Sequence, residues 1–198
     1  MAIREGTLNR QRVVSLVLLV LGLAVASSSA QTAGPVSLPA KPAAWGEPFA
    51  GCSSDERSIH GFVGDYRWLS NFFPCHIVFG GLEYGSAEAI YQSCKFPPAE
   101  RAVFTHLDAD AAKKLAHSKK VDAAWWDTRK DQVMREALWS KFSQNPDLAA
   151  RLIATGDKYL EETNWWNDTY WGVYQGQGKN TLGLMLMEVR TRLKNAHR

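Results

Sequence analysis

Hydrophobic and polar positions along the chain predict a hairpin followed by a helix early in the folded region. Residues 75–79 and 82–84 are short runs rich in β-forming side chains with two glycines between them, the pattern of a hairpin with a two-residue turn. Ser86 then has the character of a helix N-cap. It predicts a helix through Lys95, because the Pro-Pro pair that follows disfavours helical backbone.

Further along, apolar residues recur every three or four positions and predict four more helices. Each begins at a polar residue able to cap it, and one of them has a proline in its first turn. The predicted helices start after Asp108, Asp127 and Asn145 and at Asn180, and they end near Lys119, Phe142, Gly156 and Leu193. Many helices and few strands predict an α+β fold, a helix-rich single domain with a small β-sheet or hairpin.

The first 30 residues have the pattern of a secretory signal peptide. Three arginines precede an apolar run over residues 13–26, and small residues at Ser28 and Ala30 predict cleavage before Gln31. The run is shorter than the roughly 20 residues that a membrane-spanning helix needs, so we expect no stable membrane span. We predict a secreted or periplasmic protein, or a cytoplasmic one if translation begins further downstream.

Composition divides the rest of the chain into a linker and a domain. Residues 31–58 hold four of the eight prolines and show little periodicity, which predicts a flexible linker. Residues 59–198 are long enough to bury a single core and form the predicted domain. The three cysteines allow at most one disulfide, and we interpret them as small apolar residues.

The charge balance argues against a general nucleic-acid-binding surface. The formal charge of +3 includes three arginines and one glutamate in the predicted signal peptide, so residues 31–198 carry 20 basic and 19 acidic side chains. Nucleic-acid-binding domains usually show a marked basic excess. The eight tryptophans are the more unusual feature, because six of them lie between Trp125 and Trp171.

Three stretches carry candidate chemistry, and the first is the helix after Ser86. Glu88, Gln92 and Lys95 are spaced four and three residues apart, so they share one helix face. A carboxylate, an amide and an amine beside an apolar face could form the floor of a catalytic site. The alternative is a solvent-exposed stripe. The sequence has no serine-hydrolase elbow, zinc-binding His-Glu-x-x-His or Walker loop.

The other two stretches lie nearer the C-terminus. Residues 164–172 place four aromatic side chains around Asp168, which is typical of a pocket that stacks a planar base beside a carboxylate, or of a strand whose aromatics complete the core. Residues 176–180 carry Gly178 and Lys179 immediately before a helix. Such a turn can bind phosphate through backbone N–H groups, and a simple flexible turn is the alternative.

Taken together with other short motifs, these stretches resemble the NADAR family, the YbiA-like N-glycosidases. The motifs occur in the family's order and cover about residues 60–193. They are residues 69–72, Ser86-Ala87-Glu88 with Tyr91, Gln92 and Lys95, Trp126 with Met134, Lys141-Phe142, Thr155-Gly156, residues 164–172, Gly178-Lys179-Asn180, Leu182-Gly183 and Leu186-Met187 with Arg190.

The resemblance implies that residues 59–198 are a catalytic domain that hydrolyses the N-glycosidic bond between a ribose and a planar base. The family's substrates are phosphorylated ribosylamino-pyrimidine intermediates of riboflavin synthesis, or ADP-ribose attached to guanine. The implied partner is therefore a small nucleotide-like molecule or an ADP-ribosylated nucleic-acid base. Cleavage builds positive charge on the sugar, which a fixed carboxylate stabilises.

Three catalytic residues are implied by the resemblance. Glu88 would stabilise the sugar charge or activate water, and Asp168 would handle a proton or bind a ribose hydroxyl. Lys95 is a candidate covalent partner, because an unprotonated amine can form a Schiff base with an opened ribose C1; it could equally hold Glu88 or a phosphate.

The implied binding residues stack the base, hydrogen-bond the substrate or hold phosphate. They are Asn71, Gln92, Trp126, Trp171, Gly178, Lys179 and Asn180. The scheme requires no metal or cofactor. A non-catalytic module that binds ADP-ribose or a related nucleotide is the alternative function.

Overall fold

The computed structural model describes residues 47–196, so the predicted signal peptide at 1–30 and part of the predicted linker lie outside the described range. Within that range, helices combine with three small sheets, and the predicted α+β, helix-rich fold is confirmed. The strands are β1 (Ser53–Ser54), β2 (Ser58–His60), β3 (Ile77–Phe79), β4 (Leu82–Tyr84), β5 (Tyr159–Glu161), β6 (Thr163–Asn164) and β7 (Val173–Tyr174).

Six α-helices and two 3₁₀ helices make up most of the described part of the chain. The α-helices are α1 (Ala87–Ser93), α2 (Ala109–His117), α3 (Ala123–Asp127), α4 (Lys130–Gln144), α5 (Pro146–Ala154) and α6 (Thr181–Ala196), and the 3₁₀ helices are Gly64–Leu69 and Pro98–Phe104. No helix among residues 47–196 combines the length and the apolar character needed to cross a bilayer.

The end of the predicted linker is part of a sheet, which corrects the linker assignment over residues 53–58. β1 pairs antiparallel with β2, and β2 pairs parallel with β5 from the second half of the chain. Ile59 lies opposite Leu160 in this register, and both side chains are fully buried. The burial of this non-local pair explains why a proline-rich sequence nonetheless ends in a strand.

The predicted hairpin is confirmed as β3 and β4, with Ile77 opposite Tyr84. Gly80 and Gly81 connect the strands with φ angles of +58° and +79°, values that glycine adopts without steric cost and that match the twist of a tight hairpin. Ile77 and Tyr84 are both buried, so the hairpin contributes one apolar face to the core.

Helix α1 lies in the core and carries the first candidate site. As predicted, Ser86 is its N-cap, and the Ser86 Oγ accepts a hydrogen bond of 3.1 Å from the Ala89 N–H. All seven residues of α1 are buried, because α2 and α4 pack against it. The helix ends at Ser93, two residues before the predicted end.

The prediction that Asp127 caps the third helix is wrong. Asp127 is the last residue of the short helix α3, whose N-cap is Asp122; the Asp122 carboxylate accepts a 3.0 Å bond from the Trp125 N–H. The longer helix α4 begins after Arg129, which makes no side-chain capping bond. One predicted helix is therefore two helices with a break between them.

The remaining helices agree with the sequence. The Asp108 carboxylate caps α2, α5 follows Asn145 and begins at Pro146, and α6 follows Asn180. The three cysteines are free thiols, as their interpretation as apolar residues predicted.

Candidate active site

A cavity of about 380 Å³ lies beside α1, a volume typical of small-molecule sites. It is lined by side chains from α1, α2, the first 3₁₀ helix and the segment that follows β5. The cavity brings together six of the predicted site residues, Asn71, Glu88, Gln92, Lys95, Asp168 and Trp171. The other four, Trp126, Gly178, Lys179 and Asn180, do not line it.

Glu88 is held in the wall of this cavity by two amide groups. The Asn71 Nδ2 donates to Glu88 Oε2 at 2.5 Å, and the Gln92 Nε2 donates to Glu88 Oε1 at 2.6 Å. The Glu88 N–H also donates to the Asn71 carbonyl at 2.9 Å. Glu88 is 4% exposed and Gln92 is 3% exposed. The first stretch is therefore a buried polar cluster, and its interpretation as a solvent-exposed stripe is wrong.

Burial shifts the pKa values of the two ionisable side chains on this face in opposite directions. It raises the pKa of the Glu88 carboxyl, while the hydrogen bond from Gln92 and the charges of Lys113 and Lys95 act against the rise. It lowers the pKa of the Lys95 ammonium, which Glu88 opposes. Both shifts favour the neutral forms, as expected for charges removed from water.

Asp168 is oriented by its own backbone. Its Oδ1 accepts hydrogen bonds from the N–H groups of Tyr170 at 2.9 Å and Trp171 at 2.8 Å. The buried Asn164 holds the same loop, because its side chain accepts from the Asp168 N–H at 3.0 Å and donates to the Asp168 carbonyl at 2.7 Å. Both carboxylate bonds are made by one oxygen, so the other oxygen remains suited to binding a substrate hydroxyl.

The aromatic residues of the two stretches meet at Tyr91. Its ring packs edge-on against Trp126 and Trp171, with centroid distances of 4.9 and 5.5 Å. Tyr91 and Trp171 line the cavity, whereas Trp126 packs behind Tyr91 and lies 5.7 Å from the Lys95 Nζ. Trp126 therefore supports the cavity wall and the lysine.

The glycine-rich turn before α6 is tightly packed against neighbouring backbone. A Cβ on Gly178 would meet the Gly172 carbonyl oxygen. The Asn180 side chain is buried: it accepts from the Glu162 N–H at 3.0 Å and donates to the Leu160 carbonyl at 2.8 Å. Lys179 is exposed and lies 5.0 Å from the ring of Tyr170. These contacts give the turn a clear role in packing β5 and β6 against α6.

The sequence interpretation missed several residues that line the cavity. Glu162 is an acid that is 8% exposed, and Arg67, Lys113 and His117 add basic groups. Glu162 gave no sequence signal, because adjacent glutamates at 161 and 162 are typical of an exposed strand end. Among residues 47–196, no three His, Cys, Asp or Glu side chains are placed to hold a metal ion together.

Comparison with known proteins agrees with this arrangement. The NADAR domain family matches residues 61–194, the range that contains every residue of the Glu88 cluster and the Asp168 loop. The chain belongs to the NADAR family. Membership covers the whole described domain apart from its N-terminal strands.

Curated relatives carry the name N-glycosidase. The chain is 36% identical to N-glycosidase YbiA of Escherichia coli over 141 residues, which cover 65% of this chain and 82% of YbiA. It is 34% identical over 137 residues to an N-glycosidase of Nostoc punctiforme, covering 66% of this chain and 87% of that protein. The predicted enzyme class, an N-glycosidase, is confirmed by these NADAR relatives.

Two further relatives extend the comparison. A riboflavin biosynthesis protein of Vibrio vulnificus is 37% identical over 146 residues, which are 70% of this chain and 39% of that longer protein. The NMR structure of E. coli YbiA superposes with a TM-score of 0.64 at 32% identity, covering 75% of this chain and 91% of YbiA. The NADAR fold is thus shared with an experimentally determined structure.

Proposed function

We propose that this NADAR protein hydrolyses the N-ribosyl bond of a nucleotide-like substrate, either a phosphorylated ribosylamino-pyrimidine or an ADP-ribosyl group on guanine. The observation that carries the proposal is the buried Glu88 carboxyl, fixed by Asn71 and Gln92 in the wall of a cavity of nucleotide size. The name of the Vibrio relative, a riboflavin biosynthesis protein, favours the pyrimidine substrate.

Glu88 stabilises the sugar as the bond breaks. The electron pair of the C1–N bond leaves with the base nitrogen, so positive charge develops on C1 and the ring oxygen. A carboxylate that is already oriented stabilises this charge without reorganisation. Water then adds its oxygen to C1 and loses one proton, while the base nitrogen gains one, which balances the hydrolysis.

Lys95 offers a covalent route to the same products. Burial lowers its pKa, which increases the fraction of neutral, nucleophilic amine. The amine adds to C1 of the ring-opened ribose, the base leaves with the C1–N electron pair and a proton, and an imine remains. Water hydrolyses the imine and regenerates the amine.

A group of basic side chains at the Glu88 end of the cavity suits the substrate phosphate. Lys95, Lys113 and His117 line the cavity. Burial and the charges of Lys95 and Lys113 lower the pKa of His117, which shows that the three groups repel one another. A phosphate group relieves this repulsion, so we assign the phosphate to this end. Asp168 is assigned to a ribose hydroxyl and Trp171 to the base.

Release of free base, followed by mass spectrometry, tests the function with both candidate substrates. Glu88→Gln and Asp168→Asn keep the size of the side chains, and we expect losses of about 100-fold or more from the removal of each charge. Glu136→Gln, which changes an exposed residue of α4, is the control and retains activity. Unchanged base release in both cavity variants would reject the assignment.

A further inference from the structure

One acid of the cavity has no role in the mechanism above. Glu162 lines the cavity and is 8% exposed. Its Oε2 has no hydrogen-bond partner within residues 47–196. Leaving a buried polar atom unpaired costs about 1–3 kcal/mol, and such atoms call for a specific explanation. Because this atom belongs to a cavity-lining side chain, a ligand that supplies the missing partner is the direct explanation.

The charges around Glu162 differ from those around Glu88. Burial raises the pKa of Glu162 to about 8; Asp168 adds to the rise, and Arg67 and Lys141 oppose it. The Cys52 thiol also senses the Glu162 charge. The pKa of Glu88, in contrast, responds to Lys113 and Lys95. The two acids have no charged neighbour in common, so they belong to different ends of the cavity.

Aromatic side chains accompany Glu162 at its end. Trp165 and Trp166 follow it closely in the chain and line the same cavity, and Phe62 adds a further ring. Tryptophan faces are suited to stacking a planar base. If the ribose and phosphate occupy the end with Glu88 and Lys113, the base reaches the end with Glu162.

We propose that Glu162 recognises the base by accepting a hydrogen bond from its ring N–H. This proposal rests on the proposed function and narrows its substrate class to bases with a ring N–H between an amino group and a carbonyl, the edge shared by guanine and 2-amino-4-oxopyrimidines. An ionised carboxylate accepts from the ring N–H and the amino group. A protonated carboxyl accepts from the ring N–H and donates to the carbonyl. Either form rejects a base that lacks the ring N–H, because the buried oxygen is then left unpaired.

Binding of the free base tests this recognition without requiring turnover. The probes are 2-amino-4-oxopyrimidine and its N3-methyl derivative, which lacks the ring N–H, and quenching of tryptophan fluorescence reports their binding. We expect the wild-type protein to bind the unmethylated probe about tenfold or more tightly than the methylated one. In Glu162→Met, which keeps the length of the side chain, this preference disappears.

Two further variants separate recognition from folding. Glu162→Gln retains an oxygen acceptor and should keep the preference, whereas Glu136→Met changes an exposed glutamate and should leave it unchanged. Equal binding of both probes by the wild-type protein, or an unchanged preference in Glu162→Met, overturns the proposal. Selective binding without hydrolysis of either substrate would reject the proposed function and leave the assignment of Glu162 intact.

Discussion

Glu88 and Lys95 illustrate how burial on one helix face prepares two neighbouring groups for opposite tasks. Burial raises the pKa of the carboxyl and lowers that of the amine, and each charge partly stabilises the other. Lys95 also lies 5.3 Å from the Tyr91 ring centroid, so an aromatic face stabilises its cationic form. Substrate binding that displaces water around this pair will strengthen their interaction.

The covalent route predicts a trappable adduct at Lys95. Reduction of the reacting enzyme with borohydride should link the ribose fragment to the protein and increase its mass, and Lys95→Met should abolish this adduct. Because the reaction needs the neutral amine, the yield should rise with pH through the lowered pKa of Lys95. Lys194→Met, which changes a lysine of α6 outside the cavity, should give the wild-type yield. Full hydrolysis with no adduct at any pH would favour direct attack by water.

Lys113 predicts a dependence on the substrate phosphate. Lys113→Met should raise KM for the phosphorylated substrate about tenfold, since a charge-assisted hydrogen bond is lost, with little change in kcat. The dephosphorylated substrate should show no comparable loss. Equal effects on both substrates would place the phosphate elsewhere, and the Gly178-Lys179 turn would then be the next region to test.

The sequence predicted part of this site because helical spacing alone places Glu88, Gln92 and Lys95 on one face. It could not decide whether that face is buried, since burial depends on α2 and α4 packing around α1. Glu162 escaped notice for a related reason. Its burial depends on Asn180, which binds the Glu162 backbone from a distant part of the chain, and no local pattern records that contact.

Among the secondary-structure elements, β6 and β7 hold the Asp168 loop through unusually close backbone packing. Thr163 pairs with Val173 in this parallel pair. Gly172 lies immediately before β7, and a Cβ there would lie 2.2 Å from the Glu162 carbonyl oxygen and 2.8 Å from the Asn164 Nδ2. The glycine therefore permits both the strand pairing and the contacts of Asn164 that orient Asp168.

Gly172→Ala should consequently destabilise the protein by about 2 kcal/mol or more, because the obstructing atom is backbone and cannot move freely. Gly80→Ala is the matched control. Gly80 has a φ angle of +58°, and a Cβ there would meet no atom within 4 Å, so the substitution should cost only about 1 kcal/mol from backbone strain. Urea denaturation of both variants measures the difference. Equal losses would show that the loop can shift to accept the methyl group.

The short strands and the break between α3 and α4 mark where local patterns are insufficient. β1, β6 and β7 contain two residues each, too few for an alternating pattern, and their pairing partners are mostly distant in sequence. Asp122 and Asp127 are equally good caps on composition, and the position of the break is set by packing of Trp126 against Tyr91. Longer helices such as α6, with a sustained apolar repeat, are predicted close to their observed limits.

For the molecule as a whole, Glu162 links the cavity to stability. Its pKa is about 8 in the folded protein against an ordinary value of 4.5. Between these pH values the folded state binds a proton that the unfolded state has released, so the free energy of unfolding falls as pH rises. The contribution is fully present below pH 4.5 and is lost as pH passes through about 8.

Glu162→Gln should remove this pH dependence, because the amide does not titrate. The free energy of unfolding of the variant, relative to the wild-type protein, should therefore increase from pH 4.5 to pH 8. Urea denaturation at several pH values measures both proteins, and the other titrating groups cancel in the comparison. Parallel curves across this window would show that Glu162 is ionised in the folded state.

The way in which the Asp168 loop is anchored also suggests how the enzyme could be re-engineered. Trp165 and Trp166 lie between two fixed points, the buried Asn164 and the backbone-bonded Asp168, yet Trp166 itself is 38% exposed. Randomising these two positions, while leaving their anchors unaltered, would reshape the base-binding end of the cavity without disturbing the catalytic carboxylates. A combinatorial library confined to this dipeptide is thus an economical starting point for directing the enzyme toward other nucleobases.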